Sequence, residues 1–161
     1  ECSLVFLSSH DHVGQVPYLQ AGQRGLGDGS LSIDHWLRVS AGDDNRRVHY
    51  LADKIPNASV LDFGCGAGGF LSKAKSICAR VAGIDTEDVF HKSYQERGLD
   101  VFGDLKAAKD SGLRWDYVTA FHVVEHLTDP ISALRSLAGL LEPERDYCRS
   151  AIIDGCIADA I

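Results

Sequence analysis

The stretch VLDFGCGAGGF, Val60 to Phe70, decides how this chain folds. An apolar run enters a glycine cluster and leaves it as an amphipathic, helix-like segment. That is a strand, a tight turn and a helix start, with the turn at the carboxyl end of the strand, where open α/β sheets bind ligands. Glycines let a ligand approach the backbone closely, and a helix start offers N–H groups and partial positive charge. Two spacings fit at once. Gly64, Gly66 and Gly69 read G-x-G-x-x-G, the fingerprint that seats a dinucleotide pyrophosphate. Gly64, Gly66 and Gly68, with Asp62 ahead, read D-x-G-x-G-x-G. A carboxylate at Asp62 would repel phosphates, so it favours the second pattern and a ligand without them.

Working outward, strand and helix patterns alternate at short spacing. Upstream, DDNRRVHYLADKIP reads as a helix capped by Asp43 or Asp44, with Val48, Leu51, Ala52 and Ile55 on one face and Pro56 ending it. The charges of DDNRR read as a solvated face. Downstream, GGFLSKAKSIC is a helix with Phe70, Leu71, Ala74 and Ile77 inward, RVAGID is a second strand, and DVFHKSYQERG is a helix closed by Gly98. LDVFGD gives a third strand, followed by a short helix or turn through Lys109. WDYVTAFHVV gives a fourth, and DPISALRSLAGLLEP an amphipathic helix with Pro130 in its first turn. Trp36, Trp115, Leu134, Leu137 and Leu141 read as core or packing residues. The alternation implies βαβ units and a parallel sheet. The tail continues it poorly. SAIID suits a short strand, while IIDGCIADAI suits a frayed helix equally well. Four or five parallel strands are expected, so the sheet reads as incomplete at its C-terminal strands.

Three regions follow: an irregular N-terminal segment over 1–42, including the loop-like QAGQRGLGDGS; an α/β domain over 43–143; and an atypical C-terminal tail over 144–161. The chain is acidic, with a formal charge of −7, which argues against a broad nucleic-acid footprint. No apolar run nears the roughly 20 residues that span a bilayer, and the start lacks the basic region of a signal peptide. Five cysteines without a C-x-x-C pair suit reduced thiols and a cytoplasmic protein. Cys2, His10 and His12 read as scattered tail residues rather than metal ligands. With no methionine, even at position 1, the chain reads as a processed product or a piece of a longer one.

The most distinctive segment is WDYVTAFHVVEHLTDPISALRSLAGLLEP. With VLDFGCGAGGF, VAGIDTED and VFGDL ordered ahead of it, the chain resembles class I S-adenosylmethionine-dependent methyltransferases over residues 43–143. Many of them carry V-x-E-H-[LV]-x-D-P where this chain has Val123 to Pro130. The resemblance implies a three-layer α/β/α Rossmann-like fold with S-adenosyl-L-methionine as cofactor. It implies that the backbone around Asp62, Gly64, Cys65 and Gly66 holds the methionine part. Asp85 would bind the ribose hydroxyls with Thr86 beside the adenosine, and Asp104 and the Leu105 amide would meet the adenine edge. Phe121 and His122 would line the cofactor near the sulfonium. Read as residues alone, Asp85 would serve an NAD ribose as well, and Asp104 would serve nearly as well as a helix N-cap. The family's fifth strand normally follows L-x-P-G-G, whereas Pro143 is followed here by Glu144 and Arg145.

His122, Glu125 and His126 stand at i, i+3 and i+4, on one face if the chain turns helical directly after the strand. Three roles fit them. They can supply a general base for the acceptor, a divalent-metal site resembling the E-x-x-E-H of some related methyltransferases, or support beneath the cofactor. The first makes them the catalytic candidates, and no metal is assigned. The expected function is methyl transfer to an O, N or C nucleophile of a small-molecule acceptor, with no membrane and no nucleic acid. The rivals are a non-catalytic methyltransferase-like domain that binds cofactor or a partner, and an NAD(P)-binding oxidoreductase fragment, which Asp62 and VVEHLTDP disfavour.

Overall fold

A computed structural model of the chain describes residues 32–143, 150–153 and 156–159. The N-terminal segment with Cys2, His10 and His12, and the departure at Glu144 and Arg145, lie outside the described residues. The elements run α1 (Ile33–Tyr50), β1 (Ser59–Phe63), α2 (Gly69–Ala74), β2 (Arg80–Ile84), α3 (His91–Arg97), β3 (Asp100–Phe102), α4 (Leu105–Asp110), β4 (Tyr117–Ala120), α5 (Pro130–Ala138), β5 (Ser150–Ile153) and β6 (Cys156–Asp159). Single 3₁₀ turns cover Asp88–Phe90 and Val124–His126.

The strands form one sheet in the order β3-β2-β1-β4-β5-β6. β1 to β5 run parallel, and β6 is antiparallel to β5. The order reverses between β1 and β4, and their carboxyl ends bound the crevice where open α/β sheets take ligands.

Period-2 alternation sorts the buried strand residues onto two faces. Val60 and Val81 join Leu51, Ile55, Phe70, Leu71, Phe90 and Tyr94 on the face covered by α1, α2 and α3. Leu61, Ala82, Ile84 and Val118 join Ala108, Trp115, Leu137 and Leu140 on the other. Each large side chain so buried is worth about 1.5–3 kcal/mol. The expected core residues Trp36, Trp115, Leu134, Leu137 and Leu141 all pack into one cluster or the other. Local chemistry sets the helix ends. Gly98 closes α3 with φ +60°, Asp129 caps α5 through Ser132 N at 3.0 Å ahead of Pro130, and Asp104 caps α4 through Ala107 N at 2.6 Å.

Three expectations are corrected. α1 begins at Ile33, not near Asp43, because Ser32 accepts the His35 N–H at 3.2 Å and Ile33 and Trp36 pack on the core. It ends at Tyr50, with turns carrying the chain to Ile55. Asp44 is neither a cap nor solvated: it lies mid-helix and only 2% exposed. In the tail, Cys156–Asp159 is a strand rather than a frayed helix, and it adds an antiparallel sixth strand to the five parallel ones. The register pairs Ile153 with Cys156 and Ser150 with Asp159.

Candidate functional site

The loop between β1 and α2 has three residues in the left-handed region: Gly64 (φ +73°), Gly66 (φ +50°) and Gly68 (φ +73°). They alternate with Cys65 and Ala67, and only glycine visits this region at no steric cost. Gly69 is not among them. It opens α2, and a Cβ there would collide with the Asp44 carboxylate. Both glycine patterns are therefore used, for different reasons. The D-x-G-x-G-x-G spacing marks the backbone turn, and the extra glycine admits α1. The loop hangs from β2 through Gly64 N and Cys65 N, which donate to the Ile84 carbonyl at 2.8 and 3.2 Å. A Cβ on Gly66 would meet nothing within 4 Å, so the space over that residue is open.

Carboxylates flank the loop. Asp62, at 4% exposure, accepts Thr119 Oγ1 from β4 at 2.6 Å. Burial pushes its carboxyl up to about 7. The Thr119 hydrogen bond and the charge of Arg47 oppose that shift, and Asp44 and Asp85 add to it. The Asp62 side chain thus bonds to β4 inside the sheet and is not an exposed carboxylate. Asp85, just past β2, accepts Gly66 N on Oδ2 at 2.7 Å and Glu87 N on Oδ1 at 2.9 Å. Burial, with Asp85 second, raises the neighbouring Glu87 carboxyl. Thr86 beside them is exposed. Asp104 is exposed and Leu105 packs partly into the core, so the N-cap role of Asp104 is realised.

Cys65 turns its thiol inward, to 3.9 Å from the Tyr94 hydroxyl and against Gly83. Burial drives that thiol well above the usual range. Phe121, just past β4, packs edge-on against Phe70 (centroids 5.3 Å, planes 73°) and carries the Arg47 guanidinium 4.5 Å over its ring.

His122 is exposed and left-handed (φ +54°), a conformation that costs a non-glycine residue about 1–2 kcal/mol. Only Val124–His126 then turn, as one 3₁₀ turn. The helical turn that would align His122, Glu125 and His126 on one face does not form, because the left-handed His122 lies outside the turn. The Glu125 side chain lies outside the description. Among the described residues no three His, Cys, Asp or Glu side chains gather as a metal site, and no helix is long and apolar enough to cross a membrane.

Sequence reading missed Asp44, Arg47 and Thr119. Ser40 Oγ donates to Asp44 Oδ2 at 2.7 Å, and Arg47 Nη1 approaches Asp44 Oδ1 at 3.3 Å. This polar knot ties α1 to both Gly69 and Phe121. Its available signal was the i, i+3 spacing of Asp44 and Arg47, which surface pairs share.

A family model for the methyltransferase domain matches residues 34–147, and the chain belongs to that family. It is similar to the ubiquinone biosynthesis O-methyltransferase of Bordetella parapertussis, 35% identical over 107 residues that cover 61% of this chain and 44% of that one. The chain spans less than half the length of the curated relatives it matches. Among solved structures it is similar to the N-methyltransferase NodS of Bradyrhizobium japonicum in complex with S-adenosyl-L-homocysteine, with TM-score 0.60, 19% identity and coverage of 84% and 71% of the two chains. It is also similar to the magnesium protoporphyrin IX methyltransferase of Synechocystis with bound S-adenosylmethionine, with TM-score 0.56, 22% identity and coverage of 79% and 67%. At these identities the structural likeness establishes the shared fold.

Proposed function

We propose that this domain binds S-adenosyl-L-methionine over the β1–β4 crevice and transfers its methyl group to a small-molecule acceptor. The observation that carries the reading is the left-handed Gly64, Gly66 and Gly68 loop with Asp85 bonded to the Gly66 amide. The residues present fit this cofactor. The space over Gly66 is open to a ligand. Each Asp85 oxygen accepts one backbone bond and keeps a lone pair for a ribose hydroxyl. The backbone of Asp62, Gly64, Cys65 and Gly66 would hold the methionine end, with Arg47 a cation for its carboxylate. Thr86 would lie beside the adenosine, Asp104 and the Leu105 amide at the adenine edge, and Phe121 and His122 near the sulfonium. When bound, the cofactor supplies an electrophilic methyl group on sulfur.

The protein's part is then chiefly to position the acceptor and exclude water. His122, Glu125 and His126 are the candidates to take the acceptor's proton. Oxygen is the favoured acceptor atom, since the curated relatives are named O-methyltransferases. The free thiols Cys65 and Cys78 suit the cytoplasm. Calorimetry with S-adenosylhomocysteine and with NADH tests the reading. The first should bind, and Asp85→Ala should weaken it about a hundredfold through loss of charge-assisted hydrogen bonds. Binding of NADH alone would overturn the proposal.

A further inference from the structure

Two residues of α3 hold the glycine loop from behind. Tyr94 donates its hydroxyl to the Gly66 carbonyl. Less than one turn on, Arg97 donates Nη2 to the Ala67 carbonyl at 2.5 Å and Nη1 to the Gly68 carbonyl at 3.3 Å. The guanidinium is itself fixed, with Nε on the Ser93 carbonyl and hydroxyl, each at 3.2 Å. Burial drives the Tyr94 hydroxyl above its usual range and so keeps it a donor. Three consecutive loop carbonyls therefore face α3.

In a planar trans peptide the carbonyl and the following N–H point in opposite directions. Fixing the carbonyls of Gly66, Ala67 and Gly68 turns the N–H groups of Ala67, Gly68 and Gly69 away from α3, that of Gly68 onto the Cys65 carbonyl at 2.9 Å. Gly66 is also held by its own N–H, which Asp85 accepts at 2.7 Å. Other bonds hold the two ends of the loop, Gly64 N and Cys65 N on the Ile84 carbonyl and Ser72 N on the Gly68 carbonyl. The Gly66 and Ala67 carbonyls at its middle are held by α3, and left-handed glycines there would otherwise sample more backbone states. A ligand would then bear the cost of ordering it.

We propose that Tyr94 and Arg97 are positioning residues for cofactor binding: α3 presets the loop's peptide planes before the cofactor arrives. This rests on the S-adenosylmethionine reading of the site. Lys75 provides an internal control. It ties the end of α2 to α3 through the Gly98 and Arg97 carbonyls, at 2.6 and 3.3 Å, and touches no loop carbonyl.

The test is calorimetry with S-adenosylhomocysteine on the full chain and on Tyr94→Phe, Arg97→Met, Arg97→Lys and Lys75→Ala, alongside thermal melts. Tyr94→Phe keeps the ring and its packing, so it should stay folded yet bind about tenfold more weakly. Arg97→Met should lose a similar factor, Arg97→Lys should recover part of it, and Lys75→Ala should bind as the parent chain does. Parent-like affinity in both Tyr94→Phe and Arg97→Met overturns the proposal, as does an equal loss in Lys75→Ala. A parent chain that binds no S-adenosylhomocysteine overturns the cofactor reading itself, and the proposal with it.

Discussion

Thr119 Oγ1 on β4 donates to Asp62 Oδ1 on β1 at 2.6 Å, joining the two strands between which the sheet order reverses. The bond is fully buried, and burial raises the Asp62 carboxyl to about 7. The fold thus favours the neutral acid, while the unfolded chain ionises near the ordinary carboxylate value. The stabilisation from Asp62 is complete at acid pH and is lost as pH rises through about 7. Asp62→Asn has no such dependence. Between about pH 5 and about pH 8.5 the variant should gain about 2–3 kcal/mol on the parent chain in denaturant titrations. A constant gap across that range would show that Asp62 is not the titrating group.

Gly64→Ala should be costly twice over. It places a side chain at φ +73° and drives a Cβ into Val123. Strain and overpacking together predict a loss of about 2–4 kcal/mol and of cofactor affinity. Trimming the neighbour removes only the second term. In a double-mutant cycle with Val123→Ala, the pair should therefore show a favourable coupling of about 1 kcal/mol. Simple additivity would mean that the contact does not matter.

Arg47 is the cation beside buried Asp44 and within electrostatic reach of Asp62. Arg47→Ala leaves Asp44 buried without it, at a cost of about 2–3 kcal/mol. Arg47→Met with Asp44→Asn removes both charges and should recover most of that loss. Melting curves of the two variants decide the matter: a double variant as unstable as Arg47→Ala would assign the effect to lost stacking on Phe121.

Two substitutions separate the backbone strain at His122 from its proposed role as a base. Gly accepts its left-handed backbone and Ala does not, so His122→Gly should be about 1 kcal/mol more stable than His122→Ala. If His122 takes the acceptor's proton, both variants should lower kcat about a hundredfold while leaving S-adenosylhomocysteine affinity within a few fold. Unchanged kcat would leave the base to Glu125 or His126.

Much of this was legible in the residues themselves. The apolar run before Gly64, the glycine at Gly98 and the Asp129-Pro130 pair each state a local backbone preference. The alternation of periods gave the parallel sheet. Where reading failed, the deciding partner lay far along the chain. Asp44 looks like any surface acid until α1 lands on Gly69. Cys156–Asp159 reads as a strand only once Ile152 and Ile157 are seen to share a register.

The sequence by itself determined the strand–turn–helix at Val60–Phe70, the alternation of strands and helices that follows it, and the glycines among which the left-handed turn had to fall. These depend on torsional preference and short-range periodicity, which neighbouring residues carry. Only the tertiary structure decided that Gly68 rather than Gly69 completes the turn, that Asp62 is buried under Thr119, and that α3 grips the loop carbonyls. Those contacts join residues about 20 to 60 positions apart, and their energies exist only once the sheet order has brought the segments together.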